Sequence, residues 1–368
     1  MSYLLSVGTA LPPYRVEQTD IAEFARTHFG GRLAHHGQLM AVFNNARINS
    51  RYFVAPLAWF AEPAHNLKER NDLHIASAHA LSCAAAQQAL DRAGLAAHEV
   101  DYVVLACTTG MATPSLDAML IEALGMGRHT RRAPLWGLGC AGGVAGLARA
   151  AEFTLAYPDK VALLVAVETC SITFQFGDFS KKNFVATSLF ADGAAAAVVA
   201  GEQRLLRMRQ LASDEGGGGT TQPLKFIGSY STLFPNSRQV MGWDVVDTGL
   251  SVIFAPEIPA RVARDMLPEI EHLLVEHDLT ADALKRFVLH PGGARVLEAY
   301  AASIGLGQDE LSHSWQVLRD YGNMSSPTVL FVLERLLADH TRPIVRGEYV
   351  IMGALGPGFS SELALLQR

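Results

Sequence analysis

Val100–Thr109 reads VDYVVLACTT, an apolar run from Tyr102 to Cys107 opened by Asp101 and closed by two threonines. A run of this length, bounded by polar residues, has the pattern of a strand buried on both faces. Residues 284–293, LKRFVLHPGG, repeat it. In both places a helical pattern and a polar turn precede the run, and small loop residues follow it. What comes next also matches. The first run leads to a loop and helix carrying Cys140 and then to Lys160–Glu168 (KVALLVAVE); the second leads to a loop and helix after Asn323 and then to Glu348–Leu355 (EYVIMGAL). Cys140 follows Cys107 by 33 residues, and Asn323 follows His290 by 33. This order predicts an α/β protein of two copies of one unit, packed about a pseudo-twofold with helices covering the strands. The polar stretch Ser213–Pro223, SDEGGGGTTQP, is the natural boundary, giving halves 1–212 and 213–368.

The remaining pattern fills in this frame. Residues 3–8 read as a buried strand, Glu17–Thr27 as a surface helix, and 29–53 as irregular. Ala76–Ala93 reads as a helix stopped by Gly94. In the second half, Pro256–His277, Gly293–Ala302 and Thr328–Asp339 read as helices, and Ser361–Leu366 as the last strand. The chain has 368 residues, 49% hydrophobic and 18% charged, which excludes a disordered protein and suits two packed halves. Net charge is −6 and no lysine/arginine run is long enough for a nucleic-acid stripe, so an anionic ligand must be met by local groups. Cys83, Cys107, Cys140 and Cys170 form no CxxC pair and lie in apolar runs, as reduced thiols do. The His35-His36 doublet is not part of any zinc-like spacing, so no metal is expected. No signal peptide precedes Met1-Ser2-Tyr3 and Leu4–Val7 is too short to span a bilayer; a cytoplasmic protein without membrane insertion is the expectation.

Chemistry gathers at Pro134–Ala151, PLWGLGCAGGVAGLARAA. Residues 141–148 carry no charge, so this helix should be buried all round. A thiol at its N-terminus meets unpaired N–H groups and the positive end of the helix dipole, which lower its pKa. Equally, Cys140 reads as a small core residue, since free cysteines are often buried. The duplication weighs in here. Ligands of α/β folds collect beyond strand ends and at helix N-termini, and Cys140, His290 and Asn323 all fall at such ends along the seam between the halves. Cysteine, histidine and asparagine are the ingredients of an activated thiolate nucleophile. Singly, His290 also reads as a core histidine and Asn323 as a turn residue.

These residues carry a resemblance. GCAGG around Cys140, SLFADGAA around Phe190, VLHPGGARVL around His290, YGNMSSPTVLFVLE around Asn323 and GALGPG at 353–358 resemble the type III polyketide synthases, the chalcone and stilbene synthase-like branch of the thiolase superfamily. The resemblance implies a thiolase fold, a duplicated five-layer αβαβα sandwich, normally a homodimer. It implies an acyltransferase that takes an acyl-CoA starter and malonyl-CoA, extends by decarboxylative Claisen condensation, and cyclises the product in the same cavity, with no bound cofactor. Cys140 would carry the acyl chain and share a proton with His290 as a thiolate–imidazolium pair. His290 and Asn323 would stabilise the enolate left by CO2 loss.

The same resemblance makes Phe190 a gatekeeper between the CoA tunnel and the cavity. The second gatekeeper position holds Val252 in place of phenylalanine, which predicts a wider passage and a bulkier or longer starter. Cys170, Thr173 and Ser325 match cavity-lining positions, and Gly356, Pro357 and Gly358 the loop at the cyclisation wall, where Ala354-Leu355 depart from the family's glycine-phenylalanine. No basic residue in Gln38–Asn45 matches those that hold the CoA phosphates in plant members; Arg47, Arg51 and Arg295 are the candidates to replace them. The product expected is an alkylpyrone, a resorcinol or a related small polyketide, of bacterial type. The alternatives are a ketoacyl synthase III-like enzyme that stops after one condensation, and a non-catalytic scaffold that keeps the thiolase fold.

Overall fold

The two matched strands occupy equivalent positions in one nine-stranded sheet. The computed structural model describes residues 1–29, 36–61, 65–175, 177–214 and 222–368. In chain order the first half holds β1 (Ser2–Ala10), β2 (Tyr14–Glu17), α1 (Gln18–Phe29), α2 (His36–Asn45), β3 (Ser50–Phe53), α3 (Leu57–Ala61) and α4 (Leu67–Ala93). It continues with β4 (Tyr102–Ala106), α5 (Leu116–Ala123), β5 (Arg131–Leu135), α6 (Gly142–Ala156), β6 (Val161–Thr169), α7 (Lys181–Leu189), β7 (Asp192–Gly201) and α8 (Glu202–Asp214). The second half holds β8 (Leu224–Leu233), β9 (Met241–Val246), β10 (Gly249–Phe254), α9 (Ile258–Val275), β11 (Leu284–Leu289) and α10 (Ala294–Ile304). It closes with α11 (Ser312–Tyr321), α12 (Thr328–Ala338), β12 (Tyr349–Gly356) and β13 (Ser360–Gln367).

The sheet order β11-β12-β13-β8-β1-β7-β6-β4-β5 displays the repeat. β4 runs parallel to β6, and β11 parallel to β12. β7 and β13 then pair antiparallel to these, followed by β1 and β8, which also pair with each other across the middle. Alternation along β6 explains the layers: Ala162, Leu164 and Ala166 face one core, while Leu163, Val165 and Val167 face another. The first core also takes Val350 and Met352 of β12, together with α6 and α12, so these two helices form the central layer. Residues of α4 cover the outer face of the first half, and those of α9 and α10 the outer face of the second. This is the five-layer thiolase arrangement.

Helix α6 is buried from Gly142 to Ala148, as its lack of charge requires. Its closeness to α12 depends on Gly143. A Cβ there would lie 2.4 Å from the Ser326 carbonyl oxygen and 2.8 Å from Val329 Cγ1. α4 begins nine residues before the reading from sequence. Asn66 and Glu69 form a reciprocal capping box in which the Asn66 side chain accepts from the Glu69 N–H at 3.0 Å. Gly94 ends the helix at φ 66°, as expected. Helix α2 occupies part of the stretch read as irregular, and the β9–β10 hairpin and α11 were not foreseen. His35 and residues 215–221 of the boundary stretch lie outside the described residues, as do the side chains of Gln38 and Leu39. All four cysteines are free thiols, the described residues contain no cluster of His, Cys, Asp and Glu suited to a metal, and no described helix is long and apolar enough to cross a membrane.

Replacing Gly143 with alanine is expected to lower the unfolding free energy by about 1–3 kcal/mol, the usual cost of overpacking. A urea titration checks this, and an unchanged midpoint would contradict the close approach.

Candidate active site

Cys140 sits in a single 3-10 turn, Gly139–Ala141, that runs directly into α6. The turn is held from both sides. Gly139 N–H donates to Thr108 Oγ1 at 3.1 Å, and Gly356, at the end of β12, leaves no room for a Cβ, which would lie 2.4 Å from the Leu138 carbonyl oxygen. His290 follows β11 directly, and its N–H donates to the Gly353 carbonyl at 2.8 Å. Asn323 lies between α11 and α12. Its N–H donates to Leu189 O, and its own carbonyl accepts from Ala191 N–H, both at 2.9 Å.

The three side chains line one chamber with a cavity volume of ≈ 40 Å³. The Asn323 amide is oriented: Oδ1 accepts from the Ser325 N–H at 2.8 Å, and Nδ2 donates to the Gly292 carbonyl at 3.2 Å. The second Nδ2 hydrogen is left to the Cys140 sulfur, toward which the Asn323 amide donates. Ser325 itself adopts φ 61°, a left-handed conformation unusual for serine. Both imidazole nitrogens of His290 are buried without a hydrogen-bond partner.

The electrostatics differ from the expectation for a thiol at a helix end. Burial pushes the Cys140 thiol up to about 11, with hydrogen bonds from Ser325 and Asn323 pulling the other way. Burial pushes His290 down to about 3. Loss of water outweighs the helix terminus, so each group taken singly is neutral. An ionised pair would have to arise in one step, with the proton passing from sulfur to imidazole so that each charge stabilises the other.

Comparison with known proteins identifies the lineage. The family description "Chalcone and stilbene synthases, N-terminal domain" matches residues 1–203, and the corresponding C-terminal domain matches 225–368. The chain belongs to the chalcone and stilbene synthase family. A putative chalcone synthase of Bacillus subtilis is 40% identical over 371 residues, covering 99% of this chain and 98% of the relative. A 1,3,6,8-tetrahydroxynaphthalene synthase of Streptomyces peucetius is 35% identical, covering 98% of this chain and 92% of the relative. Among solved structures, the 1,3,6,8-tetrahydroxynaphthalene synthase of Streptomyces coelicolor, a bacterial type III polyketide synthase, matches at TM-score 0.89 and 29% identity, covering 99% of each chain. The chain is a thiolase-fold enzyme of the type III polyketide synthase family, with acyltransferase-type activity.

The residues matched to this family's cavity divide between two spaces. Ser325 and Pro357 line the Cys140 chamber, and Gly356 braces it from behind. Gly358 does not line it; its carbonyl accepts from Ser237 Oγ at 3.1 Å. Cys170 and Thr173 line a second cavity of ≈ 50 Å³. Burial and the nearby carboxylates of Glu168 and Asp192 push the Cys170 thiol well above its ordinary value, which suits packing rather than reactivity. Phe190, Trp243 and Val252 line both cavities and form the wall between them.

That wall also holds an aromatic residue that a reading of position 252 alone does not include. Trp243 on β9 stands directly opposite Val252 on β10, so both side chains share a face of the hairpin. Its ring lies 5.8 Å from that of Phe190. The aromatic surface missing at position 252 is supplied by its cross-strand neighbour.

From the chamber a groove of ≈ 800 Å³ leads outward, and Phe254, Ile258, Gly292 and Val296 line both. Arg295 lies on the groove, together with Lys181 and Lys182 of α7. The other two arginine candidates do not line this groove. Arg51 is fully buried, donating through Nη1 to the Phe190 carbonyl at 2.7 Å and through Nε to Gln18 Oε1 at 3.1 Å. Arg47 pairs with Glu298 at 2.9 Å and lies over the Trp315 ring. The adjacent lysines 181–182 were the available sequence signal for the groove, and Trp243 had none, because its role depends on hairpin register.

His290→Gln is expected to slow alkylation of Cys140 by iodoacetamide at pH 7 by at least about tenfold. Its rate should climb toward pH 11 without a plateau, because the buried thiol would lack a proton acceptor. Intact-mass kinetics across pH measure this; matching profiles for parent and variant would show that His290 does not take the proton.

Proposed function

We propose that this enzyme builds a small polyketide from CoA thioesters by decarboxylative condensation on Cys140. The observation that carries the reading is the convergence of Cys140, His290 and an oriented Asn323 amide on one chamber at the inner end of a groove bearing Lys181, Lys182 and Arg295. The groove suits the phosphates of coenzyme A, which need local cations on a protein of net charge −6. His290 accepts the Cys140 proton as sulfur attacks the starter thioester, and the departing CoA sulfur takes a proton back. When malonyl-CoA follows, its thioester oxygen faces the imidazole and the Nδ2 hydrogen of Asn323 that had pointed at the Cys140 sulfur before acylation. The bond to the carboxylate breaks, CO2 leaves, and the electron pair forms an enolate held by those donors. The enolate carbon then attacks the acyl carbonyl, and Cys140 sulfur departs. Asparagine suits this better than aspartate, whose charge would repel the enolate.

No resident cofactor or metal is required by this chemistry. We place the working enzyme, on family resemblance, as a homodimer in the cytoplasm, where free thiols persist. The starter enters past Phe190, and its chain occupies the cavity lined by Cys170 and Thr173; an alkylpyrone, resorcinol or related small polyketide is the product. A single condensation, as in ketoacyl synthase III-like enzymes, is the second reading. The small volume of the Cys140 chamber favours it.

Incubation with malonyl-CoA and acyl-CoA starters of graded length, followed by product mass, separates the two: products containing two or more extender units support the polyketide reading, and products with one support the alternative. Trp243→Ala should shift the preferred starter to longer chains by several carbons, since it opens the wall. An unchanged preference would place the chain elsewhere. Replacing Lys182 and Arg295 together with alanine should raise KM for acyl-CoA about tenfold while kcat stays within twofold, the pattern of lost uniform binding.

A further inference from the structure

Among the described residues, four buried side-chain atoms on residues lining the two cavities have no hydrogen-bond partner: Nδ1 and Nε2 of His290, Nη2 of Arg51 and the hydroxyl of Tyr300. The condensation proposed above uses His290 and leaves Tyr300 idle. Tyr300 lies on α10, one turn beyond Val296. Gly292 and Val296 line both the groove and the chamber, whereas Tyr300 lines only the chamber, so it stands further in along the same helix. Its side chain has no exposed surface. Around it the wall includes Met241, Ile253, Phe254, Ile258 and Leu355. A phenylalanine would pack among these equally well and would not bury an unsatisfied hydroxyl.

We propose that Tyr300 is a substrate-binding residue whose hydroxyl donates to a keto oxygen of the acyl chain once that chain has been extended. This rests on the polyketide reading. A saturated starter on Cys140 brings one oxygen, that of the thioester at the sulfur. The extender's thioester oxygen is received by His290 and Asn323. Each condensation then converts a thioester carbonyl into a keto group at C3 of the longer chain, adding an acceptor that must be buried against an apolar wall. Tyr300 supplies a donor there. The phenol stays protonated in this setting, because burial and the neighbouring Cys140 raise it above its ordinary value. The proposed contact distinguishes an extended chain from a fresh starter, and so favours continued extension over early release.

The test compares the full-length parent with Tyr300→Phe, using hexanoyl-CoA and malonyl-CoA. Intact mass follows loading of Cys140, and rapid-quench product analysis separates the first condensation from later ones. The variant should keep its melting temperature or gain slightly, since it loses only an unpartnered buried hydroxyl. Loading and first condensation should stay within twofold of the parent, while later extensions slow about tenfold and the diketide accumulates. Equal slowing of every step, or a fall in melting temperature with no change in product distribution, would assign the hydroxyl a packing role and overturn the proposal. So would a variant indistinguishable from the parent, which would mean that water alone satisfies the hydroxyl. A parent that extends normally alongside such a variant leaves the polyketide reading intact. A parent that never passes the first condensation overturns both.

Discussion

The site depends on how closely the two central helices approach each other. Because Gly143 has no side chain, the Ser326 backbone reaches α6, and the N-terminal ends of α6 and α12 meet at one point. Glu168 secures that meeting from the sheet. Its Oε1 accepts from Ser326 Oγ at 3.0 Å, and its Oε2 accepts from the N–H groups of Thr108 and Thr109 at 3.0 and 2.9 Å. One buried carboxylate thus ties the loop after β4 to the start of α12. Cys140 and Asn323, which precede the two helices, are brought to the same chamber by this contact. His290 reaches it from just past the end of β11, as Cys107 follows β4 in the first copy of the repeat.

Burial at the seam has a second effect. Removing water pushes Glu168 and Asp192 up to about 7 and Arg51 down to about 9, besides shifting Cys140 and His290 toward neutrality. Charge in this region is costly unless it is paired or hydrogen-bonded. The same dryness strengthens any donor aimed at a developing oxyanion, since the interaction is not screened. Asp192 illustrates the compensation. It accepts from the Ser171 N–H at 2.7 Å and the Val54 N–H at 2.8 Å, with Arg51 near enough to favour its ionised form. Arg51 in turn holds the Phe190 carbonyl, so the phenylalanine at the wall is braced by a buried charged network rather than by packing alone.

Much of this was legible in sequence because the informative features are local. VDYVVLACTT and LKRFVLHPGG announce buried strands by composition, and their matched surroundings give the duplication that brings cysteine, histidine and asparagine to one seam. Strand and helix centres follow from the same runs. The start of α4 was missed because its signal is the pair Asn66 and Glu69, upstream of the apolar pattern. The protonation preference of Cys140 was misread because helix-end fields are visible in sequence, whereas desolvation is a property of the assembled interior. Arg51 was offered as a phosphate ligand for the same reason: its type and place in sequence do not show that tertiary packing encloses it.

The wall between the cavities carries this point furthest. A single substitution, valine for phenylalanine at position 252, looks in sequence like a gain of space. On the hairpin, residue 252 faces Trp243, and the pair together sets how much aromatic surface meets Phe190. The groove behaves alike. Positive charge absent from the described part of α2 is supplied by Lys181 and Lys182 on α7, which packs against it, and by Arg295 at the start of α10. In both places the quantity held by the fold is a property of facing elements, ring area across two strands and charge across a groove. A chain that changes one side is therefore constrained mainly by what the other side already provides. Each position of the wall and of the groove is therefore to be read together with the residue that faces it, because a residue-by-residue match sees only one side of the pair.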